Sequence, residues 1–493
     1  MEKSYFLEAE NLSFKYEKNG ENTLNNINLK FNKSSSVLLM GPSGCGKSSL
    51  AYCLSGLYPE HAGYIDGEIL LDGKNIEEYK ANLRAKKLSI LFQNPDNQFC
   101  MDTPSNEILF ALENINYQGD YTKKVDELLS IVDLQDVKDQ PIHTLSGGMK
   151  QKIALATSLA TEAEFIILDE PIANLDPNSR LMVIKTLKKL RGKGIGFLIV
   201  DHNPNFWLSI IDSLILMDNA GQIVENNINA IEIDKYKEIF NRLGIFYDEE
   251  FYNNYSPNKI NSNAKELLNV DNLSIEYDKT PILKNVNLSL KQGECHVLLG
   301  ENGSGKTTLL LALAKLIKSK GKITHHDKVG LVFQNPRFQF LTTKVIDEIK
   351  LSIENNNLNK KSYSEIESIA EIFLKNFDLL DFKNASPYEL SQGQQRRLAI
   401  LSMISCNQDL LLLDEPTYAQ DEKSTKNILN LLNQKSKEGL STIISTHDLD
   451  LAQSLAHHIY VVSNGEVRKI SKQEFLEIKE KQSKLMKNII YDK

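Results

Sequence analysis

Two short stretches, GPSGCGKS at Gly41–Ser48 and GENGSGKT at Gly300–Thr307, each place a lysine and a hydroxyl residue directly after a glycine-rich loop. The pattern suits phosphate. Glycines let backbone N–H groups curl around anionic oxygens, the helix that follows brings partial positive charge, and the lysine reaches the outer phosphates. Lys47 and Lys306 are the expected phosphate ligands. Gly41, Pro42, Ser43, Gly44, Cys45, Gly46 and Ser49 line the first loop, and Gly300, Glu301, Asn302, Gly303, Ser304, Gly305 and Thr308 the second. Ser48 and Thr307 are expected to hold Mg2+.

Each loop is answered downstream by LDEP after an apolar run, which sets two carboxylates at a strand end. Asp169 and Asp414 are expected to orient Mg2+ through its water shell. Glu170 and Glu415 would polarise an attacking water. His202 and His447 end two further apolar runs, and although a lone histidine there is as readily a packing residue, both stand 33 residues beyond their aspartates. That shared spacing favours a γ-phosphate contact.

The chain is written twice. LSGGMKQKIALA pairs with LSQGQQRRLAIL, and Ser146 to Asp169 spans 23 residues, as does Ser391 to Asp414. One register differs, since Lys47 to Gln93 is 46 residues and Lys306 to Gln334 only 28. The second half is therefore expected to lack most of a hairpin-like insert around GEILLDGKNIEEYK. Apolar runs bounded by Gly or Asp, alternating with helical periodicity, predict buried parallel strands in βαβ units. The expected organisation is one α/β domain at 1–246, a polar, Asn-rich linker at 247–264, and a second domain at 265–493. The C-terminal run from Ser471 has helical spacing and mixed charge.

The bulk numbers agree with two ordinary domains. Of 493 residues, 57 are basic and 65 acidic, a net charge of -8 that offers little to nucleic-acid phosphates. Five scattered cysteines without metal-ligand spacing fit a reducing compartment. No apolar run approaches the roughly 18 to 20 residues that span a bilayer. Any work at a membrane would need a partner chain.

Taken together these motifs resemble two ABC-type ATPase domains fused in tandem. The resemblance implies an α/β fold of two P-loop NTPase domains, each with a mainly parallel core sheet, an antiparallel β subdomain and a helical subdomain, and it implies ATP and Mg2+ as cofactors. In that family two domains close head to tail around two ATPs. Ser146, Gly147 and Gly148 would then complete the site of Lys306, while Ser391 and Gly393 complete that of Lys47. Tyr16 and Tyr277 match the aromatic that stacks on adenine, Asp176 and Asp421 the acidic loop that communicates across the dimer, and Gln93 and Gln334 the glutamine that touches Mg2+. Both halves keep the lysine, aspartate, glutamate and histidine, so both are expected to hydrolyse ATP. Gln392 replaces the usual first signature glycine and YAQD departs from the pattern that ANLD follows, so unequal turnover is expected.

Within the family, FQNPDNQF (Phe92–Phe99), FQNPRFQF (Phe333–Phe340) and EPTYAQD resemble segments of the ATPases of energy-coupling factor importers for vitamins or transition-metal ions. The resemblance implies a transmembrane coupling (T) component, docking at Asp96, Asn97 and Gln98 and at Arg337, Phe338 and Gln339, a separate substrate-binding membrane subunit, and a peripheral location on the cytoplasmic face. A Pro-terminated surface turn is the simpler reading of those stretches. Two other classes stay open: a twin-ABC translation factor acting on ribosomes, against which the short polar linker without a basic block counts, and the fused ATPase of a sugar or nucleoside importer.

Overall fold

Buried strands carry the architecture of this computed structural model, which describes residues 5–491 apart from 174, 248–249, 261–263, 278–279, 326–327, 356–361 and 418–419. Asn174 in ANLD and Tyr418 and Ala419 in YAQD thus lie outside the described residues. The contacts divide the chain into Met1–Tyr247 with Lys484–Lys493, and Asp248–Ser483.

In the first unit the strands Ser36–Met40, Phe165–Asp169 and Gly196–Val200 are buried at every position. A strand covered on both faces carries no polar alternation, which is why these segments read as continuous apolar runs. The six-stranded sheet runs in the order 88–91, 165–169, 196–200, 36–40, 213–217, 223–229, parallel except for the last pair. The second unit repeats this order with 329–332, 410–414, 441–446, 295–299, 458–463 and 466–470. Each glycine loop leaves the carboxyl end of an interior strand, the place where open α/β sheets bind ligands.

A second, antiparallel sheet packs beside each core. In the first unit it orders Leu24–Phe31, Leu7–Lys15, Tyr64–Leu71 and Lys74–Asn75; in the second, Thr280–Lys291, Glu266–Tyr277 and Lys320–His325. The missing insert is therefore smaller than expected. Lys320–His325 takes the place of Tyr64–Leu71 against the long strand, and among its described residues the second unit has no counterpart of the return strand Lys74–Asn75 or the helix Ala81–Lys87. Helices Pro104–Asn114, Tyr121–Ile131 and Gly147–Ala160 form the helical layer of the first unit, and Val345–Asn355, Tyr363–Asn376 and Gln392–Ser405 that of the second.

The segment expected as a linker folds onto the second unit. Tyr252 donates to Asp448 Oδ2 at 2.8 Å, Asn258 Nδ2 to the Asn433 carbonyl at 3.1 Å, and His457 Nε2 to the Asn258 carbonyl at 2.7 Å. Its asparagines and tyrosines add hydrogen bonds to the burial of Phe251 and Tyr252, a mixture that hydrophobic periodicity does not reveal. The C-terminal run forms the helix Lys472–Tyr491. Among the described residues no helix is long and apolar enough to cross a membrane.

Candidate functional site

The two glycine loops have the same local design. Gly46 and Gly305 stand just before their helices with φ of 100° and 104°, a left-handed conformation that side chains resist. A Cβ on Gly300 would also meet the Val462 carbonyl at 2.5 Å, so the backbone passes too close for any larger residue. Lys47 Nζ donates back to the carbonyls of Gly41 and Pro42 at 2.8 Å each, and Lys306 Nζ to those of Gly300 and Glu301 at 2.7 and 2.9 Å. Both ammonium groups are thus held over the loop, where an anion would replace these carbonyls as partner.

Beside each loop stands a carboxylate pair. Glu170 and Glu415 have φ of 48° and 50°, which for a side chain of this size costs roughly 1–2 kcal/mol. Both pin that turn with a backbone bond across the sheet, Glu170 N–H to the Val200 carbonyl at 2.9 Å and Glu415 N–H to the Ser445 carbonyl at 3.0 Å. The strained turn aims each glutamate at a histidine: Glu170 Oε1 lies 2.9 Å from His202 Nε2, and Glu415 Oε1 3.0 Å from His447 Nδ1. Burial pushes both glutamates up, but the neighbouring histidines lead a set of partners, including Lys47 and Lys306, that holds each below the ordinary carboxylate range. Each is therefore an ionised acceptor, suited to orient a water.

The adjoining aspartates differ. Asp414 accepts from Thr307 Oγ1 at 2.7 Å and from Ser445, its partner in the sheet register. Asp169 pairs in register with Val200, and both its carboxylate oxygens are buried without a well-aligned hydrogen bond, although Ser48 beside it favours the charged form. Burial, reinforced by Glu170, pushes the Asp169 carboxyl up to about 7. Buried oxygens without an aligned partner are what a hydrated cation would satisfy, so Asp169 with Ser48 beside it suits Mg2+; in the second unit Thr307 and Asp414 offer the same oxygen chemistry but bond each other, while Gln93 bonds Glu170 and Gln334 is exposed.

Tyr16 and Tyr277 diverge as well. Tyr16 is half exposed, bonds Ser49 Oγ at 2.7 Å and sets its ring edge-on to Phe14 at 4.9 Å; Tyr277 is 73% exposed at the end of its strand. The stacking role expected of both requires a face that Tyr277 presents freely and Tyr16 shares with its neighbours.

The signature and acidic-loop residues are helix caps. Ser146 accepts from Met149 N–H at 3.3 Å to start the helix of Gly147 and Gly148, and Ser391 forms a capping box with Gln394 ahead of Gly393. Asp176 and Asp421 cap Pro177–Gly192 and Glu422–Lys437 by accepting from Ser179 N–H at 3.1 Å and Ser424 N–H at 2.7 Å. Among the described residues, Ser146 and Ser391 share no hydrogen bond with the glycine loop of their own unit.

The Gln-Asn-Pro stretches are built as turns. Asn94 and Asn335 accept from Asp96 and Arg337 N–H at 3.1 Å each, and Pro95 and Pro336 open the short 3-10 turns Pro95–Asn97 and Pro336–Phe338. Asp96 and Asn97, like Arg337 and Phe338, are exposed. The expectation for Gln98 and Gln339 needs correction: both point inward. Gln339 Nε2 donates to the Ala399 carbonyl at 2.8 Å and Ser402 Oγ at 3.1 Å, and Gln98 reaches the matching Ala154 carbonyl at 3.4 Å. Each amide reaches a carbonyl of the buried signature helix, so these glutamines tie the turn to that helix, Gln339 buried and Gln98 part-buried.

Two supporting positions, one residue of each in either unit, were missed in the sequence. Arg396, buried in the signature helix, donates to the carbonyls of Phe333 at 2.7 Å, Asp414 at 3.1 Å, and Gln334, tying the glutamine loop to the aspartate strand. Its counterpart is Gln151, buried with both amide atoms unpaired. Asp201 caps His202 and Asn203 N–H at 2.6 and 3.1 Å, where the second unit has Thr446, which donates to Glu415 Oε2 at 3.2 Å. Aligning the repeated motifs position by position would have exposed both contrasts.

Comparison with known proteins gives a family model described as "ABC transporter", matching residues 24–173 and 283–418. The chain is 34% identical to the Bacillus subtilis (strain 168) "Putative HMP/thiamine import ATP-binding protein YkoD", over 92% of this chain and 89% of that protein. It is also 34% identical to a "Putative ABC transporter ATP-binding protein" of Bacillus cereus (strain ATCC 10987 / NRS 248), over 93% and 89%. Among solved structures, a chain of the "Model of ribosome-bound archaeal Pelota and ABCE1" matches with a TM-score of 0.69 at 19% identity, covering 95% of this chain and 80% of that one. At that identity the likeness concerns the fold alone.

Proposed function

The chain belongs to the ABC transporter family of ATP-binding proteins, with two ATPase domains in tandem, and we propose that it is the motor of an energy-coupling factor importer. The domains are read as 1–246 and 265–493, joined by 247–264. The observation that carries this reading is the paired lysine, aspartate, glutamate and histidine in each half, in a chain with no membrane-crossing helix among its described residues. Two hydrolytic sites on such a chain need separate membrane chains to do transport work. The relative named for HMP/thiamine import supports a vitamin or vitamin precursor as cargo; a transition-metal ion is the other class in this reading.

In the proposed cycle each ATP lies between the loop of one half and the signature of the other. Lys47 and Lys306 hold the outer phosphates, Tyr16 and Tyr277 the base. Glu170 and Glu415 orient the water, and His202 and His447 fix those glutamates while facing the γ-phosphate. Mg2+, held by Ser48, Gln93 and Asp169 or by Thr307, Gln334 and Asp414, would neutralise charge developing on the phosphates. Asp176 and Asp421 link the two sites. The chain works on the cytoplasmic face of the membrane, where a T component docks beside Asp96 and Asn97 in one half and Arg337 and Phe338 in the other.

Reversing charge at Asp96→Lys together with Arg337→Glu tests this reading. ATP binding should persist while uptake of labelled thiamine or its pyrimidine precursor, in vesicles holding the membrane partners, falls at least tenfold. Unchanged uptake and membrane association would count against the docking surface. Co-sedimentation with ribosomes and ribosome-stimulated ATPase, without any membrane complex, would sink the importer reading.

A further inference from the structure

Away from the nucleotide loops, at the start of the strands that carry them, the second unit gathers three metal-ligating side chains. Glu294 immediately precedes the strand Cys295–Leu299, and His296 two residues on projects to the same face. The parallel register sets His296 directly opposite His458 on the strand His458–Ser463. Glu294 Oε2 lies 3.1 Å from His296 Nε2, and Glu294 Oε1 3.9 Å from His458 Nε2. All three ligand atoms fall within 4.8 Å of one another.

We infer that Glu294, His296 and His458 form a binding site for a divalent transition-metal ion. A tetrahedral ion with ligands at about 2.0–2.2 Å holds them roughly 3.4 Å apart, so small side-chain rotations bring this set to a common centre. Two imidazoles and one carboxylate on one face leave positions for water. That donor set suits Zn2+, Co2+ or Ni2+, whereas Mg2+ and Ca2+ prefer oxygen. His458 is part-exposed and gives an entry path, while His296 is fully buried.

His296 Nε2 and Glu294 Oε2, two of the atoms a cation would join, already face each other, and His296 Nδ1 makes no hydrogen bond that would turn the ring away. His457 is not a ligand, because Nδ1 accepts from Cys295 N–H at 2.9 Å and Nε2 donates to the Asn258 carbonyl.

The first unit supplies a control. Counting back from Gly41 as from Gly300, the matching positions are Ser35 and Val37, and Val37 pairs with Ser213. None of these is a metal ligand of this kind, so the site belongs to the second half alone. An ion there would clamp two adjacent strands and stabilise that unit by binding only its folded form.

Titrating the chelator-stripped full chain with Co2+ in excess Mg2+, which occupies the oxygen-rich nucleotide sites, reads this out directly. One Co2+ per chain should bind with ligand-field absorption bands and be displaced by Zn2+. His458→Asn and Glu294→Gln should each weaken binding by at least about tenfold, and the Zn2+-dependent rise in melting temperature of the wild type should vanish. Mg2+-ATP turnover without added transition metal should be unchanged in His458→Asn. Absence of ligand-field bands in the wild type, or equal Co2+ affinity in the wild type and in Glu294→Gln, would overturn the site. The wild-type spectrum decides the matter even if a variant fails to fold.

Discussion

The two halves share the lysine, aspartate, glutamate and histidine of each site and differ in the groups behind them. Asp414 rests on two hydroxyls, from Thr307 and Ser445, where Asp169 has buried oxygens without an aligned partner. Arg396 braces the glutamine loop where Gln151 braces nothing, and Thr446 supports Glu415 where Asp201 supports only the backbone. Even the histidines meet their glutamates through different ring nitrogens. Duplication preserved the reacting residues, and divergence settled in their support, which sets how firmly each is held.

The largest test of that asymmetry removes the water-orienting carboxylate from one site at a time. Glu170→Gln and Glu415→Gln should each lower ATP hydrolysis in the assembled complex by roughly 100-fold or more at the altered site. Residual rates should differ, because the first site carries the less supported aspartate and borrows Gln392. Steady-state phosphate release checks this, and identical residual rates for the two variants would remove the case for unequal sites.

A smaller effect separates the two braces. Arg396→Gln gives the second unit the residue of the first and strands carbonyls that a buried guanidinium now satisfies, a loss of about 3 kcal/mol. For a unit of this size that lowers its melting temperature by roughly 6–12 °C. Gln151→Met, by contrast, replaces an amide whose polar atoms are already unpaired, and should be neutral or stabilising. Thermal unfolding without nucleotide decides, and equal losses in both variants would show that the braces are equivalent.

These contrasts also mark what the sequence makes legible. Glycine loops, LDEP and the spacings to His202 and His447 are local patterns with strong physical demands, so the mainly parallel core sheets and the paired glutamates could be anticipated, and the strand order could not. The left-handed φ of Glu170 and Glu415 could not, because no residue type announces it and the cross-sheet bonds to Val200 and Ser445 enforce it. Gln98 and Gln339 look like surface polar residues and turn inward because helix carbonyls await them. The Glu294–His296–His458 cluster escaped for a related reason: its members are 164 residues apart at the extremes (294 to 458), and only the parallel register joins them.

The smallest expected effect concerns Asp201, and its sign follows from linkage. Burial raises the Asp201 carboxyl above its ordinary 3.8, the Asn203 N–H only partly opposes this, and the charge of Glu170 adds to the rise. The folded first unit therefore holds a proton on Asp201 at pH values where the unfolded chain has released it. Its stability must fall as pH rises from about 3.8 through the raised native value, since ionisation then occurs inside the fold. Thr446 shows that a hydroxyl can fill this position, accepting from Asp448 N–H at 3.1 Å while donating to its glutamate. Asp201→Thr should accordingly gain stability relative to wild type as pH increases across that window, and supply Glu170 Oε2 with the donor it lacks. Denaturant unfolding at several pH values between 4 and neutrality measures the difference. A pH-independent gap between variant and wild type would mean that Asp201 carries no buried charge, and the two strand ends would then differ in shape alone.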